Sequence, residues 1–338
     1  NDTVMHLQNP EPGVMHSFYV TAANQGGQSM PSETLSVYPD TTAQKKVLVI
    51  NAFNRVAPPD TVDQQTVRGF ANWRDEGVPD GLNLHYTGKQ YEFDPRVPWD
   101  DDDDPGFGAS YARWETTPIA GNTHDLVKHH AEAFAAMGWQ VSTASDEAVM
   151  AGTVNLNDYD WVDIQFGEEK STHRYGDDTT LHYSTWTQPL RDKITAYLKQ
   201  DGKLLVSGAY VGTDAFVLSP DTVKNREFAR KKLGYFHRTN HATQLGQVRA
   251  VHPEFNHVGI IPYSDTFNSE IYKCEAPDAI EPGTGAETFL RYKANNTSAA
   301  VISQKRGTAV LGFPLETITN AEARNALVKS IVEYLQQD

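Results

Sequence analysis

Carboxylates and a histidine lie at the ends of several apolar segments of this 338-residue sequence. Glu168 follows the segment DWVDIQFG, Asp214 follows KLLVSGAYVGT, and Glu316 follows TAVLGFPL, while His124 precedes a stretch with helical periodicity. A histidine near carboxylates can do general acid–base chemistry, and the same groups can hydrogen-bond the hydroxyls of a sugar. We therefore take Glu168, His124 and Asp214 as candidate catalytic residues and Glu316 as a candidate ligand-binding residue.

Further ligand-binding candidates stand at equivalent places. Asn54 and Arg55 follow the first apolar segment, and Ser207 and Tyr210 belong to the small-residue stretch SGAYVG, which is typical of a tight turn. Trp114 lies in a long aromatic-rich connection, where rings can form a sugar platform or anchor the loop to its domain. These five residues are predicted to contact a ligand.

Metal and cysteine chemistry receive little support from the residue types. Asp101 and Asp103 belong to an acidic run that is a weak calcium candidate, because it lacks the glycine-spaced alternation of an EF-hand loop. No HExxH motif occurs, and the single cysteine, Cys274, allows neither an intrachain disulfide nor a thiolate metal cluster. We predict no metal and no cofactor, and a semi-buried apolar role for Cys274.

The apolar segments alternate with helical patterns from residue 45 onward. KKVLVINAF is a continuous apolar run, as expected for a strand covered on both faces. HDLVKHHAEAFAAMG places Leu126, His130, Phe134 and Met137 on one helical face. Such alternation predicts a mostly parallel sheet with helices on both faces, from residue 45 to 338. Residues 54–123 form a long insertion within it, which is usually functional.

The first 40 residues have a different pattern. HSFYVTAANQGGQSMPSETLSVYP alternates apolar and polar residues around a Gly26-Gly27 turn, which predicts a hairpin. The stretch resembles the last strands of a fibronectin type III domain, with His16 where that family has its corner tyrosine. An ordinary N-terminal hairpin is the alternative. A partial β-sandwich over residues 1–40 must lean on the larger domain or on an upstream segment.

The order of strands and helices resembles the class I glutamine amidotransferase-like, flavodoxin-type fold. In that fold the turn after the fourth strand is a nucleophile elbow with the motif G-x-C-x-G. Aligning LLVSGAYVG with it puts Ala209, or in a shifted register Gly208 or Tyr210, at the position of the cysteine. A methyl group cannot attack a carbonyl, and loss of a nucleophile lowers kcat by roughly 10⁶-fold. Amidotransferase chemistry is therefore excluded, although enzymatic activity of another kind stays open.

Several motifs together resemble one group of proteins: FYVTAANQGGQSMPSE, VLVINAFNRVAPP, DPGFGASYA, AGNTHD, LLVSGAYVGTD and GFPLETI. They are similar to large secreted proteins of gut bacteria that carry the names xanthan lyase or golvesin-C-terminal-like-domain protein. The resemblance implies export and a glycan or peptidoglycan context, but no established catalytic residues. Lyases of the xanthan type use an α/α toroid with β-sandwiches, so we discount the lyase name as an activity.

The charge and hydropathy of the sequence argue against some classes of binding partner. The chain has 44 acidic and 29 basic residues, a net charge of −15, which argues against nucleic acid. No apolar run is long enough to span a membrane. Because the sequence begins at Asn1 without an initiator methionine, we expect a mature or excised fragment.

We predict a non-catalytic module, secreted, periplasmic or on the bacterial surface. It would bind carbohydrate or a partner domain at the carboxyl ends of the strands. The alternatives are a hydrolase or polysaccharide lyase using carboxylate and histidine residues, and a structural spacer.

Overall fold

The computed structural model describes residues 4–55, 61–70, 77–84, 86, 88, 92, 94–98, 114–174 and 177–337. Its centre is one sheet of eleven strands. In chain order the strands are β1 (His16–Phe18), β2 (Leu35–Tyr38), β3 (Lys46–Asn51), β4 (Gln140–Ser145), β5 (Trp161–Gly167), β6 (Lys203–Gly208), β7 (Gln247–Ala250), β8 (Ile260–Pro262), β9 (Glu287–Tyr292), β10 (Ser298–Ser303) and β11 (Thr308–Leu311).

Five neighbouring strands in the middle of this sheet are parallel: β4, β3, β5, β6 and β11. Numbered by their place in the chain, they have the order 2-1-3-4-5. Antiparallel strands extend both edges, with β2 and β1 beside β4, and β10, β9, β7 and β8 beyond β11. The sheet is therefore mixed, whereas the sequence predicted a mostly parallel one. Short turns join β9, β10 and β11, and such turns can connect only antiparallel neighbours.

Helices cover both faces of the sheet, as predicted. They are α1 (Val127–Ala135), α2 (Asp146–Ala151), α3 (Gln188–Leu198), α4 (Val211–Thr213), α5 (Thr222–Phe228) and α6 (Ala321–Leu335), and π turns extend α4 over Asp214–Leu218 and α5 over Ala229–Leu233. Alternate residues of β3 face opposite sides, because side chains alternate along a strand. Val47 and Val49 pack in the core with α1 and α6, whereas Leu48 and Ile50 pack with α2 and α3.

The N-terminal segment continues the main sheet. β2 pairs with β4, placing Val37 opposite Ser142, and β1 pairs with β2 at the edge of the sheet as far as the structure describes it. The two stretches around Gly26 form the short antiparallel pair Ala23–Asn24 and Gly27–Gln28. The short pair is exposed, whereas β2 is partly buried at its place in the main sheet. The likeness of this segment to a fibronectin type III domain stays a prediction.

Short strand pairs and 3₁₀ turns lie in the connections between the main elements. The remaining strand pairs are Thr61–Asp63 with Arg68–Phe70, Leu82–Asn83 with Ile119–Ala120, Thr172–Arg174 with Asp177–Tyr183, and Tyr235–Thr239 with Ala279–Pro282. The 3₁₀ turns are Leu156–Asp158, Pro253–Val258, Gln304–Arg306 and Leu315–Thr317. Asp101 and Asp103, the weak calcium candidates, lie outside the described residues. Within the described ranges, every helix is too short or too polar to cross a membrane.

Candidate functional site

The chain bends sharply after β6, which lies inside the sheet between β5 and β11. β6 ends at Gly208 and α4 begins at Val211, so only two residues make the bend. A Cβ on Gly208 would lie 2.8 Å from Cβ of Phe166, so this close approach requires glycine. Ala209 is fully buried in the core on the α1 and α6 side. The strand is thus followed by a sharp turn into a helix, and the side chain at the tip of this turn is the buried methyl group of Ala209.

The two other candidates at the bend are also largely buried. Tyr210 is 8% exposed, and the ammonium of Lys170 lies 4.5 Å from the centre of its ring. Ser207 is fully buried, and its hydroxyl has no hydrogen-bond partner among the described residues. Because a serine nucleophile needs a base within hydrogen-bond reach, the described residues leave Ser207 unactivated.

Asp278 occupies the backbone donors that follow the bend. Its Oδ2 accepts hydrogen bonds from the N–H of Gly212 at 2.7 Å and from that of Thr213 at 2.6 Å. Its Oδ1 accepts a third from the Thr213 hydroxyl at 2.5 Å. A carboxylate of the chain itself therefore takes the position that a bound anion would take at a helix N-terminus. These two N–H groups are therefore satisfied by the chain itself.

Glu168 follows β5 directly and is 4% exposed. Its Oε1 accepts a hydrogen bond from the backbone N–H of Glu275 at 3.1 Å. Burial, and then the nearby carboxylate of Glu275, raise the pKa of Glu168 to about 8. At neutral pH the side chain is therefore largely protonated and can donate a hydrogen bond.

The neighbouring carboxylate, Glu169, organises the loop after β3. Its Oε2 accepts hydrogen bonds from the backbone N–H groups of Asn54 and Arg55, both at 2.8 Å. Burial raises the pKa of Glu169 well above its ordinary value. The side-chain amide of Asn54 donates to Oδ1 of Asp146 at 3.1 Å, and the Arg55 side chain is 1% exposed. Both predicted ligand-binding residues therefore serve internal contacts.

Glu316 belongs to a fully buried group that we call the His130 cluster: Asp163, His130, Gln165, Tyr272 and Glu316. His130 bonds Oδ2 of Asp163 through Nδ1 at 2.7 Å, and Oε2 of Glu316 through Nε2 at 3.1 Å. Gln165 and Tyr272 donate to Oε1 of Glu316 at 2.7 and 2.8 Å. Burial disfavours a charged imidazole, but the two carboxylates outweigh it and raise the pKa of His130 to about 9.

The sequence carries a signal for this cluster that the predictions above did not use. Asp163 and Gln165 are polar residues at alternate positions of the otherwise apolar strand β5, so they point to the same face. His130 lies on the apolar face of α1, which covers that side of the sheet. Two polar residues at this spacing inside a buried strand require partners, since unpaired polar groups are costly in a core.

The two remaining catalytic candidates have separate partners. Nε2 of His124 lies 3.2 Å from Oδ1 of Asp80, and its side chain is 24% exposed. Asp214 is fully buried and accepts hydrogen bonds from the N–H of Ser171 at 2.7 Å and from the N–H and hydroxyl of Thr185 at 2.9 and 2.7 Å. Among the residues that the structure describes, neither forms a hydrogen bond or an ion pair with Glu168. The three candidates do not form a common catalytic group.

A small pocket of about 40 Å³ opens beside Glu168, and we call it the rim pocket. Glu275, Tyr272, Tyr86 and Phe267 line it together with Glu168. Phe267 is also the centre of an aromatic cluster with Tyr86 and Trp114. Its ring centre lies 5.4 Å from that of Tyr86 and 4.8 Å from that of Trp114. All three rings are half-buried, so each keeps part of its surface open to solvent.

Comparisons with known proteins give distant structural likenesses. No family model and no curated protein matches the sequence. The chain is similar to the cytoplasmic protein STM1381 of Salmonella typhimurium LT2, with 10% identity, a TM-score of 0.44, and coverage of 87% of this chain and 100% of that one. It is also similar to the cytoplasmic protein STM3548 of Salmonella typhimurium, with 14% identity, a TM-score of 0.43, and coverage of 85% of this chain and 98% of that one. A Thermoplasma acidophilum protein assigned as part of a GMP synthase has 8% identity, a TM-score of 0.36, and coverage of 62% of this chain and 87% of its own.

The described residues hold no group of three or more histidine, cysteine or acidic side chains placed to bind a metal ion. The carboxylates at the ends of the parallel strands are instead distributed among separate hydrogen-bonded groups.

The buried ionisable groups predict how stability changes with pH. The pKa of Glu168 is raised from 4.5 to about 8, so the native state binds a proton more tightly than the unfolded state, and stability falls as pH rises across that interval. His130 acts in the same direction, because its pKa is raised from 6.5 to about 9 and its contribution is lost as pH rises through 9. Urea unfolding should show a more stable protein at pH 5 than at pH 8.

Glu168→Gln should flatten this pH dependence and stabilise the protein at pH 8 by about 1–3 kcal/mol, because glutamine keeps the acceptor without an ionisable proton. Glu270→Gln, at an exposed position, is the matched control and should follow the wild-type curve. If the free energy of unfolding changes equally with pH in wild type and Glu168→Gln between pH 5 and pH 8, Glu168 ionises normally in the native state.

Proposed function

We propose that the chain is a non-catalytic α/β module of an exported bacterial protein that processes glycans. It binds carbohydrate at the carboxyl ends of its parallel strands. The single observation that carries the proposal is the half-exposed cluster of Tyr86, Phe267 and Trp114 beside the rim pocket. Its export and glycan context rest on the resemblance of the sequence motifs to secreted proteins of gut bacteria.

The strand order 2-1-3-4-5 supports a flavodoxin-like fold, in which ligands bind outside the carboxyl ends of the strands. The sharp bend after β6 supports an amidotransferase-like ancestry for that fold. Because Ala209 fills the position of the nucleophile and is fully buried, this module would retain the ligand-binding edge without the covalent chemistry.

The remaining reactive groups favour binding over catalysis. Burial, and then the nearby carboxylates of Glu168 and Glu316, raise the pKa of the Cys274 thiol well above its ordinary value, so it is not a thiolate at neutral pH. His124 pairs with Asp80, and Asp214 holds backbone donors. The hydroxyl of Tyr272 donates to Glu316 beside the rim, but both side chains are buried, and burial raises the pKa of Tyr272 well above its ordinary value, so this pair does not supply an activated nucleophile.

A carbohydrate suits the surface at the rim. Sugar rings combine an apolar face with hydroxyl groups, and aromatic side chains offer an apolar surface at little entropic cost. Glu168 and Glu275 next to the rings can hydrogen-bond hydroxyls. The rim pocket is far below the roughly 300 Å³ of an enclosed ligand site. We therefore expect a saccharide chain that lies across the rim, with one substituent reaching Glu168.

Calorimetric titration with oligosaccharides, chosen by a glycan-array screen that includes muropeptides, tests the proposal. Phe267→Ala and Trp114→Ala should each weaken binding at least tenfold, which is about 1.4 kcal/mol. Phe236→Ala is the matched control, because Phe236 is an exposed ring in the strand Tyr235–Thr239, outside the rim. Binding that is unchanged in Phe267→Ala would overturn the assignment of the site. Binding of a neighbouring domain, with no glycan bound, would favour a docking module.

A further inference from the structure

A second pocket, of about 210 Å³, lies at the opposite edge of the sheet, where β6 and β11 begin. We call it the basic pocket. Its charged lining residues are Lys199, Lys203, Lys231, Lys232, Lys305, Arg306 and Asp201. Six cations therefore stand against one carboxylate, in a chain whose net charge is −15. Such a local reversal of sign marks a surface suited to an anion.

Three chain reversals bring these side chains together. Lys199 follows the end of α3, Lys231 and Lys232 lie in the π turn that extends α5, and Lys305 and Arg306 lie in the turn Gln304–Arg306. Cations near helix C-termini are favourable, because the helix dipole is negative there. The helix dipole explains why a basic residue lies at the end of each of these three turns of helix. It does not explain why the three ends line the same cavity.

One of the basic side chains is held in place. Arg306 donates from Nη2 to the carbonyl of Thr284 at 2.9 Å and from Nη1 to the hydroxyl of Ser303 at 3.1 Å. Gly307 has a φ of 68°, and a Cβ at this residue would lie 2.9 Å from the carbonyl oxygen of Gly202 and 2.9 Å from Cδ of Lys203. Glycine there leaves room for this backbone and for the stem of Lys203. The Arg306 guanidinium is therefore preorganised at the edge of the basic pocket.

Most of the charge in the basic pocket is uncompensated. Lys231 pairs with Glu227 at 2.6 Å. In the part of the chain that the structure describes, Lys199, Lys203, Lys232 and Lys305 form no ion pair within 4 Å. Lysines that share one cavity repel one another, and a bound anion would relieve this repulsion.

We propose that the basic pocket binds one divalent oxyanion group, a phosphate or a sulfate, either free or as a substituent of a larger ligand. An oxyanion with several acceptor oxygens can take hydrogen bonds from several ammonium groups at once, and such charge-assisted bonds are strong. Arg306, whose Nε, Nη1 and Nη2 already donate to acceptors of the chain, adds its positive charge. A cavity needs only about 10–15 Å³ to hold a water molecule, so 210 Å³ has ample room for this group and its waters. The site is independent of the carbohydrate rim.

Isothermal titration calorimetry with inorganic phosphate and with sulfate, at about 20 mM ionic strength, tests this site. The wild-type chain should bind one anion saturably. A triple variant of the pocket, Lys199→Gln, Lys232→Gln and Lys305→Gln, should bind at least tenfold more weakly. The control triple variant, Lys128→Gln, Lys224→Gln and Lys329→Gln, changes the net charge equally at exposed lysines elsewhere and should stay within twofold of wild type.

The source of the anion is distinguished by glucose 6-phosphate. Tighter binding than inorganic phosphate would identify a substituent of a larger ligand, and equal binding would identify the free ion. Absence of saturable binding by all three anions would overturn the proposal, as would equal losses in the two triple variants. Phe267→Ala should leave anion binding unchanged, so failure at the rim and failure at the basic pocket are separable.

Discussion

Replacing His130 with alanine is expected to lower the free energy of unfolding at pH 6 by about 3–5 kcal/mol. The imidazole stands between Asp163 and Glu316, and all three side chains are fully buried. Removing it leaves two buried carboxylates without their counter-charge, and such breakage costs far more than loss of a surface pair. Chemical denaturation at pH 6 measures the effect.

The neighbouring His129→Ala is the matched control, since His129 lies on the same helix but its ring is 35% exposed and its contact with Glu132 is 4.0 Å long. A loss below about 1 kcal/mol is expected there. The cost of His130→Ala should shrink as the pH rises through 9, where the imidazole of the wild type loses its proton. A loss below about 1 kcal/mol for His130→Ala at pH 6 would show that the buried ion pairs do not form.

Asp214→Ala is the second substitution with a large expected effect, a loss of about 2–5 kcal/mol in urea unfolding. Asp214 accepts backbone hydrogen bonds from Ser171 and Thr185, which flank the hairpin Thr172–Arg174 and Asp177–Tyr183. Without the carboxylate, two buried N–H groups lose their acceptor, and each unsatisfied group costs roughly 1–3 kcal/mol.

Asp214→Asn keeps one acceptor oxygen but turns its NH2 group toward one of the two backbone donors, so it should recover only part of the loss. The exposed Asp201→Asn, which the left-handed backbone at this position (φ 59°) tolerates, should stay within about 0.5 kcal/mol of wild type. If Asp214 acted as a catalytic acid without a structural role, Asp214→Ala would leave stability unchanged.

The local elements were accessible from the sequence because they depend on local patterns. The apolar run KKVLVINAF predicted β3, the helical periodicity around His130 predicted α1, and the small residues after Val206 predicted the bend at Ala209. Each of these follows from side-chain spacing within one segment.

The partners of the buried polar groups were not accessible in the same way. His130 meets Asp163 across 33 positions of the chain and Glu316 across 186. Such pairs depend on which strands become neighbours and which helix covers them, and local periodicity does not specify either. Asp214 was taken for a catalytic residue for the same reason, since its backbone donors come from residues 29 and 43 positions earlier.

The antiparallel edges show a related gap. The alternating pattern from residue 45 onward predicted a mostly parallel sheet, and SAAVISQKRGTAVLGFPLET is typical of a hairpin, which forms as β10 and β11. The antiparallel strands β7, β8 and β9 beyond this hairpin were not predicted. β7 and β9 pair across a long stretch of chain, and local periodicity does not specify such a pairing.

Product analysis after prolonged incubation tests the central claim, binding without turnover, most directly. The wild-type chain is incubated with the glycan that it binds most tightly. The recovered ligand is then separated by chromatography, and its mass is measured by mass spectrometry. Because His124 and Asp214 are held by partners other than Glu168, we expect a fully intact ligand, with binding reduced in Phe267→Ala. Cleaved ligand from the wild type, with cleavage abolished in Glu168→Gln, would contradict the claim and establish an enzyme at this rim.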